Sequence, residues 1–195
     1  LQKGTAQRPE DRFQTAEEMR EQLFGVLREV TAAAGSGAVT RSTPSQLFEQ
    51  PAVAADVLTW SDLPRLTIDT RDPMASWLAS VTADDPATRL AALDGAPEQT
   101  PAVLAERAAA ALHAGQVPLA EQLAQQILDA DPWEWRGVWL QGLAALSRAD
   151  AASAVAAFNS VYGQLPGELA PKLALAAACE AASEDAVAER MYTTC

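Results

Sequence analysis

The sequence predicts an all-α fold in which pairs of antiparallel helices stack into a solenoid. The main observation is a period of 34 residues that relates Ala120, Ala154 and Ala188. Two further sets of residues follow the same period. Small residues stand twelve positions before the three alanines, at Ala108, Gly142 and Ala176. Prolines close the first two units, at Pro132 and Pro166.

This period and these residue types are typical of tetratricopeptide repeats. Each such unit buries its apolar face only against neighbouring units. The small positions let two helix backbones approach closely, while Phe158 and Tyr192 would fill the space between stacked pairs. We predict units at 100–133, 134–167 and 168–195, the third being truncated, so that the chain would be a piece of something longer. An Ala-rich helical bundle with accidental self-similarity is the alternative.

Residues 1–34 are predicted to contain one helix, with Thr15 as its N-cap and Glu18 completing a capping box. Apolar residues spaced by three and four form a single stripe that we expect to be buried. The stripe consists of Met19, Leu23, Val26, Leu27 and Val30. Gly35, Ser36 and Gly37 are expected to end the helix.

An extended connector is predicted for residues 35–71, which contain three prolines and no sustained period. Its apolar residues are too numerous for a free linker, so we expect it to lie as a strap against folded surface. These residues are Leu47, Phe48, Leu58, Trp60, Leu63, Leu66 and Ile68.

Residues 72–99 are predicted to form two short helices that cap the repeats. Asp72 with Pro73, and Asp85 with Pro86, are start signals of the kind that place proline in the first turn. The first of these helices should bury Met74, Trp77, Leu78 and Val81. The repeat helices are expected to begin at Pro101, Pro118, Glu134, Ala151, Glu168 and Glu184.

The composition excludes several classes of partner. There are 14 Lys and Arg against 26 Asp and Glu, a net charge of −12, so phosphate would repel the chain and neither nucleic acid nor an anionic membrane surface is expected to bind it. No stretch approaches the roughly eighteen apolar residues of a membrane span, and the first residues resemble neither a secretory signal nor a transit peptide. Two cysteines, Cys179 and Cys195, do not make a disulfide framework. A cytoplasmic location fits these features best.

The segment from Arg8 to Met19, Arg-Pro-Glu-Asp-Arg-Phe-Gln-Thr-Ala-Glu-Glu-Met, resembles the end of a protein-kinase catalytic domain. A kinase end followed by a connector and tetratricopeptide repeats is similar to the actinobacterial protein kinase G family of soluble serine/threonine kinases. The stretches 133–139 (Trp-Glu-Trp-Arg-Gly-Val-Trp) and 166–176 (Pro-Gly-Glu-Leu-Ala-Pro-Lys-Leu-Ala-Leu-Ala) are similar to that family's repeat sequence.

The resemblance implies that residues 1–34 are the last part of a kinase catalytic domain, including its final helix. Arg12 would then take the position of the arginine that pairs with the glutamate of the A-P-E motif. The resemblance also implies a parent that uses ATP and magnesium to phosphorylate Ser or Thr of a forkhead-associated regulator of metabolism. The sequence itself holds no H-R-D or D-F-G motif. We therefore expect no catalytic residue, cofactor or metal site within this chain.

The inner surface of the repeats is the candidate binding site, because the first helix of each unit lines it. Its candidate protein-binding residues are Arg136, Trp139, Leu143 and Leu173. Clamps for a C-terminal carboxylate place Lys, Asn and Arg on this surface. Ala105 and Ala109 stand at such positions in the first repeat and argue against a clamp of this kind. An apolar or amphipathic segment would fit better. Simple packing of Trp139 against a neighbouring element is the alternative.

Three functions agree with the sequence. The favoured one is a regulatory region that docks on its own kinase domain, on a protein substrate or regulator, or on a second copy in a homodimer. The second is an interaction module of an unrelated bacterial regulator. The third is a hydrolase or transferase, which would need partners around His113, the only histidine. We expect His113 at a helix end, where an imidazole can interact with terminal carbonyls instead.

Overall fold

This computed structural model describes residues 3–9, 12–13, 15–33, 45–50 and 58–193, and helices supply nearly all of the regular structure in those ranges. Short 3₁₀ turns lie at Lys3–Thr5 and Trp60–Asp62. The α-helices are α1 (Ala16–Ala33), α2 (Ala75–Ser80), α3 (Pro86–Leu93), α4 (Pro101–His113), α5 (Val117–Ala130), α6 (Trp135–Ser147), α7 (Ala151–Gln164), α8 (Leu169–Ala181) and α9 (Asp185–Thr193). The predicted all-α class is confirmed.

All six repeat helices begin within one residue of their predicted starts. Capping side chains are present at the starts of α4, α6 and α7. Thr100 Oγ1 accepts a hydrogen bond from the Val103 amide at 3.3 Å, and Pro101 occupies the first turn of α4. Asp150 caps α7 in the same way through the Ser153 amide, at 3.1 Å. Each cap satisfies one backbone donor that the first helical turn leaves free.

Helices α3 to α9 pack mainly against their neighbours in sequence, as a stack of helical hairpins requires. The predicted small positions lie at the tightest contacts. Ala108, Gly142 and Ala176 are completely buried, and Phe158 fits against Gly142 on the facing helix. Ala120, Ala154 and Ala188 are also buried.

The turn inside each repeat has a left-handed residue at the same position, 34 residues apart. The φ angle is +75° at Gly115, and it is 60° at Ala149 and Ser183. A left-handed residue with a hydrogen bond back into the last helical turn is a common helix ending. Only the first repeat has glycine there, so this shared backbone geometry has no counterpart in the residue pattern.

Helix α1 begins directly after Thr15, as predicted, but its apolar stripe is not buried. The five stripe residues are between 38% and 60% exposed. The prediction of a buried stripe is wrong for this chain, because α1 contacts the repeats through the neighbouring face, which carries Gln22, Gly25 and Glu29. The predicted stop at Gly35–Gly37 lies outside the described residues.

The connector lies against folded surface, as predicted, in its described parts, residues 45–50 and 58–71. Residues 45–50 and 58–68 are called the strap below. Phe48 is 3% exposed and Leu63 is 5% exposed, and both belong to the main core. The two predicted short helices follow, but α2 begins at Ala75 and not at the predicted Asp72–Pro73, which form a turn before it. Within α2, Leu78 is buried, with Met74 just before the helix, whereas Trp77 and Val81 are only partly buried.

Candidate functional site

The inner surface of the repeats is formed by α4, α6 and α8, and is called the groove below. The four predicted groove residues lie on α6 and α8, and the structure places them at different depths. Trp139 is completely buried. Leu143 and Leu173 are partly buried against the core, and Arg136 is half-buried. Their role in binding a partner stays a prediction, but their immediate surroundings are now defined.

The strap occupies the groove where α6 lines it. The ring centroid of Phe48 lies 4.8 Å from that of Trp139, edge to face, and 5.2 Å from that of Trp135. Trp139 in turn meets Phe158 at 5.1 Å, so aromatic rings run continuously from the strap to the core of the second repeat. Aromatic pairs at these distances add to the stabilisation that burial provides. Part of the groove is therefore filled by the chain itself.

Two backbone hydrogen bonds join the two parts of the strap. The Glu49 amide donates to the Arg65 carbonyl at 2.9 Å, and the Thr67 amide donates to the Leu47 carbonyl at 3.0 Å. They flank an isolated antiparallel bridge between Phe48 and Leu66. The pairing satisfies two amides and two carbonyls of the strap, so these backbone groups keep hydrogen-bond partners where the strap lies on the groove.

Arg136 is held by acidic groups on both sides. Its guanidinium donates to Glu134 at 2.9 Å, reaches Asp69 at 3.4 Å, and lies 4.7 Å above the Trp135 ring. A hydrogen bond from Arg71 is the main cause of a lowered pKa at Asp69, with Arg136 a smaller cause. Asp69 therefore remains ionised at neutral pH. These contacts tie the end of the connector to α6 and partly neutralise the one predicted cation of the groove.

A cavity of about 600 Å³ lies between the strap, α4 and α6. Arg89 spans one side, bonded to Glu106 at 2.5 Å and to the Val81 carbonyl at 2.8 Å. His113 lies at the end of α4, as predicted, with its ring centroid 5.0 Å from that of Trp60. Loss of water around the imidazole, and then the charge of Arg65, lower the pKa of His113. The imidazole is accordingly neutral at pH 7.

Asp72 joins the connector to the first repeat. Its carboxylate accepts hydrogen bonds from the Thr100 hydroxyl at 2.8 Å and from the Ala102 amide at 3.3 Å, at the start of α4. The same carboxylate caps the turn before α2 through the Met74 amide, at 2.8 Å. A negative charge at a helix N-terminus is favourable. This contact helps to fix where the strap enters the repeats.

Arg12 lies far from the groove in sequence and is exposed. Its guanidinium donates to the carbonyl of Ala6 at 2.8 Å and to that of Gln7 at 3.4 Å. These local bonds show what the side chain contacts in this chain. The buried ion pair that the kinase resemblance implies for it stays a prediction.

The sequence predicts a groove on the repeats but not the segment that lies on it. Phe48 was recognised as too apolar for a linker, yet nothing in the sequence indicated that it would lie against Trp139, 91 residues further along. It also missed Glu29 on α1, which bonds to Lys172 of α8. The signal available in the sequence is a lysine among the small and apolar residues of a repeat helix. Such a lysine, if buried, needs an acidic partner.

The described ranges contain no group of three His, Cys, Asp or Glu side chains placed to hold a metal ion. Among the same residues, no helix combines the length and apolar character needed to cross a membrane. Aromatic, apolar and ion-pair contacts are what the groove makes with the one segment seen on it, the connector.

Comparison with known proteins gives the family. The chain is 33% identical over 210 residues to the serine/threonine-protein kinase PknG of Mycobacterium leprae, covering 90% of this chain. It is 33% identical over 206 residues to the PknG of Mycolicibacterium smegmatis, covering 89% of this chain. The chain spans only 27% of the length of each of these relatives. The profile of the family described as "Protein kinase G tetratricopeptide repeat" matches residues 22–195, so the chain belongs to that family.

Proposed function

We propose that this chain is the non-catalytic regulatory part of a serine/threonine kinase, and that its groove holds the kinase's own connector. The observation that carries the proposal is the strap, because Phe48 is buried between Trp135 and Trp139 on the surface where such repeats bind partners. A segment supplied by the same chain binds at a high effective concentration. The first partner of the repeats would therefore be the polypeptide leading out of their own catalytic domain.

The kinase relatives support the catalytic part of the proposal. The parent would transfer the γ-phosphoryl group of ATP, with magnesium, to Ser or Thr of a forkhead-associated regulator of metabolism in the cytoplasm. Groups that position phosphates and metal for this reaction belong to motifs that the present sequence does not contain. The chain would serve in docking and regulation. The substrate and a second copy of the chain are further proposed partners.

Two measurements test the proposal. Calorimetry of this chain with ATP and magnesium should show no binding, and a measurable affinity would contradict the non-catalytic role. In the natural kinase, Phe48→Ala should alter the rate of phosphorylation of a forkhead-associated protein, because it frees the connector. Leu169→Ala, which shortens an exposed leucine of α8, is the control and should leave the rate unchanged. Equal rates for wild type and Phe48→Ala would exclude regulation through the strap.

A further inference from the structure

Glu29 of α1 makes three bonds to the region where the second repeat meets the third. Its carboxylate lies 3.0 Å from Lys172 Nζ on α8. The same carboxylate accepts hydrogen bonds from the Tyr162 hydroxyl and from the Gly167 amide, each at 3.1 Å. These three donors come from α7, from the turn after it and from α8. One carboxylate thus connects α1 to both helices of the junction.

The charges at this contact are withdrawn from water. Lys172 is only 6% exposed. Lysine is rarely buried in this way unless an acidic group pairs with it. The Glu29 side chain retains only 23% of its surface. A buried charge that loses its partner becomes strongly unfavourable. Lys172 therefore gives this surface a strong preference for an acidic group, and α1 provides one.

The backbones at the same contact approach too closely for any side chain between them. Gly167 has a φ of +80°, and a Cβ placed there would lie 2.6 Å from the Gly25 carbonyl oxygen. A Cβ on Gly25 would overlap the carbonyl oxygen of Pro166. Gln22 donates to the Gln164 carbonyl on one side, and Arg28 pairs with Glu168 at 3.4 Å on the other. Shape and charge together specify a single position for α1.

We infer that this contact, centred on Glu29 and Lys172, is a clamp that fixes the last helix of the catalytic domain to the repeats. The inference rests on the proposed function, since it takes α1 to be that helix. The apolar stripe of α1 lies on a different face from Gly25 and Glu29, so the helix can pack into a catalytic domain and hold the clamp at once. The two parts then move as one body.

The decisive experiment is zero-length cross-linking in the full natural kinase. A carbodiimide joins a carboxylate to an amine by eliminating water, so it should link Glu29 directly to Lys172, and peptide mass spectrometry would identify the product. Absence of this product from wild-type protein in which the reagent has modified Glu29 would refute the clamp. Gly25→Ala keeps both reacting groups, yet we expect it to lower the yield about tenfold because the added methyl group forces α1 away. Gly163→Ala, where nothing lies within 4 Å of the new Cβ, is the matched control and should retain the full yield.

A second measurement tests whether the clamp holds the two parts together. Small-angle scattering of the full kinase should show a larger radius of gyration for Glu29→Gln than for wild type. Glu98→Gln, which removes an exposed carboxylate elsewhere, should leave the radius unchanged. An unchanged radius for Glu29→Gln, or an unchanged yield for Gly25→Ala, would overturn the inference. Kinase activity of the wild type is assayed separately. A protein that is inactive but still forms the Glu29–Lys172 cross-link would count against the proposed function and not against the clamp.

Discussion

Gly142 offers the sharpest test of how the repeats pack. It lies in α6 opposite Phe158, and a Cβ built on it would come 2.6 Å from Phe158 Cε1 and 2.8 Å from Cζ. The Phe158 ring cannot easily withdraw, because it is completely buried and its other neighbour is Trp139 at 5.1 Å. Gly142→Ala therefore adds a methyl group to a space that is already full.

Two opposing effects set the size of the change. Replacing glycine by alanine inside a helix favours folding by about 0.5–1 kcal/mol, since the unfolded chain loses less freedom. Overpacking a filled core costs about 1–3 kcal/mol. The clash should prevail, so we expect Gly142→Ala to lower the free energy of unfolding by about 1 kcal/mol and the Tm by about 2–4 °C.

Gly163→Ala is the matched control, because it makes the same chemical change in the next helix with no atom within 4 Å of the new Cβ. Only the helix-propensity gain applies there, so this variant should be more stable than wild type by up to about 1 kcal/mol. Urea unfolding of the three proteins, followed by circular dichroism, measures the difference. If Gly142→Ala were stabilised as much as Gly163→Ala, the close contact between α6 and Phe158 would be refuted.

Four further predictions concern other parts of the fold. Phe48→Ala should lower the free energy of unfolding by about 3 kcal/mol, the lower end for a buried phenylalanine because the strap can partly close the gap. Tryptophan emission should shift to the red as Trp139 meets water, and unchanged emission in the folded protein would count against the strap. Ala149→Gly should raise the free energy of unfolding by about 0.5–1 kcal/mol, because the left-handed backbone strains alanine more than glycine, and a less stable variant would contradict the positive φ angle. Cys179 is 1% exposed and burial raises the pKa of its thiol, so iodoacetamide should label it no faster than the protein unfolds, as peptide mapping would show. Folding lowers the pKa of His113, so as the pH falls the unfolded state takes up a proton before the folded state does. The free energy of unfolding should therefore decrease below about pH 6.5. This decrease should be modest because His113 is exposed, and smaller still in His113→Gln.

The helices could be predicted from the sequence because their signals are local. Thr100 with Pro101, and Asp85 with Pro86, define helix starts through bonds that span only three residues. The 34-residue period also predicted where helices pack most closely, because Gly142 and its equivalents must be small where two backbones meet. Both kinds of evidence depend on patterns that a single sequence displays.

The contacts between distant segments could not be predicted in this way. The position of Phe48 depends on Trp135 and Trp139, which form one surface only after α6 has folded. The docking face of α1 is polar, with Glu29 at its centre, so a rule that assigns apolar stripes to the interior selected the wrong face. A contact made through one ion pair and a close approach of two backbones produces no periodic pattern in the sequence.

The burial of Phe48 bears on how the repeats can be prepared in isolation. A protein trimmed to begin at residue 72 would keep helices α2 to α9, and so every helix of the stack. It would nevertheless expose Trp135 and Trp139 to solvent, and contiguous apolar surface of this kind promotes aggregation. The shortest segment expected to stay monodisperse therefore starts no later than residue 45.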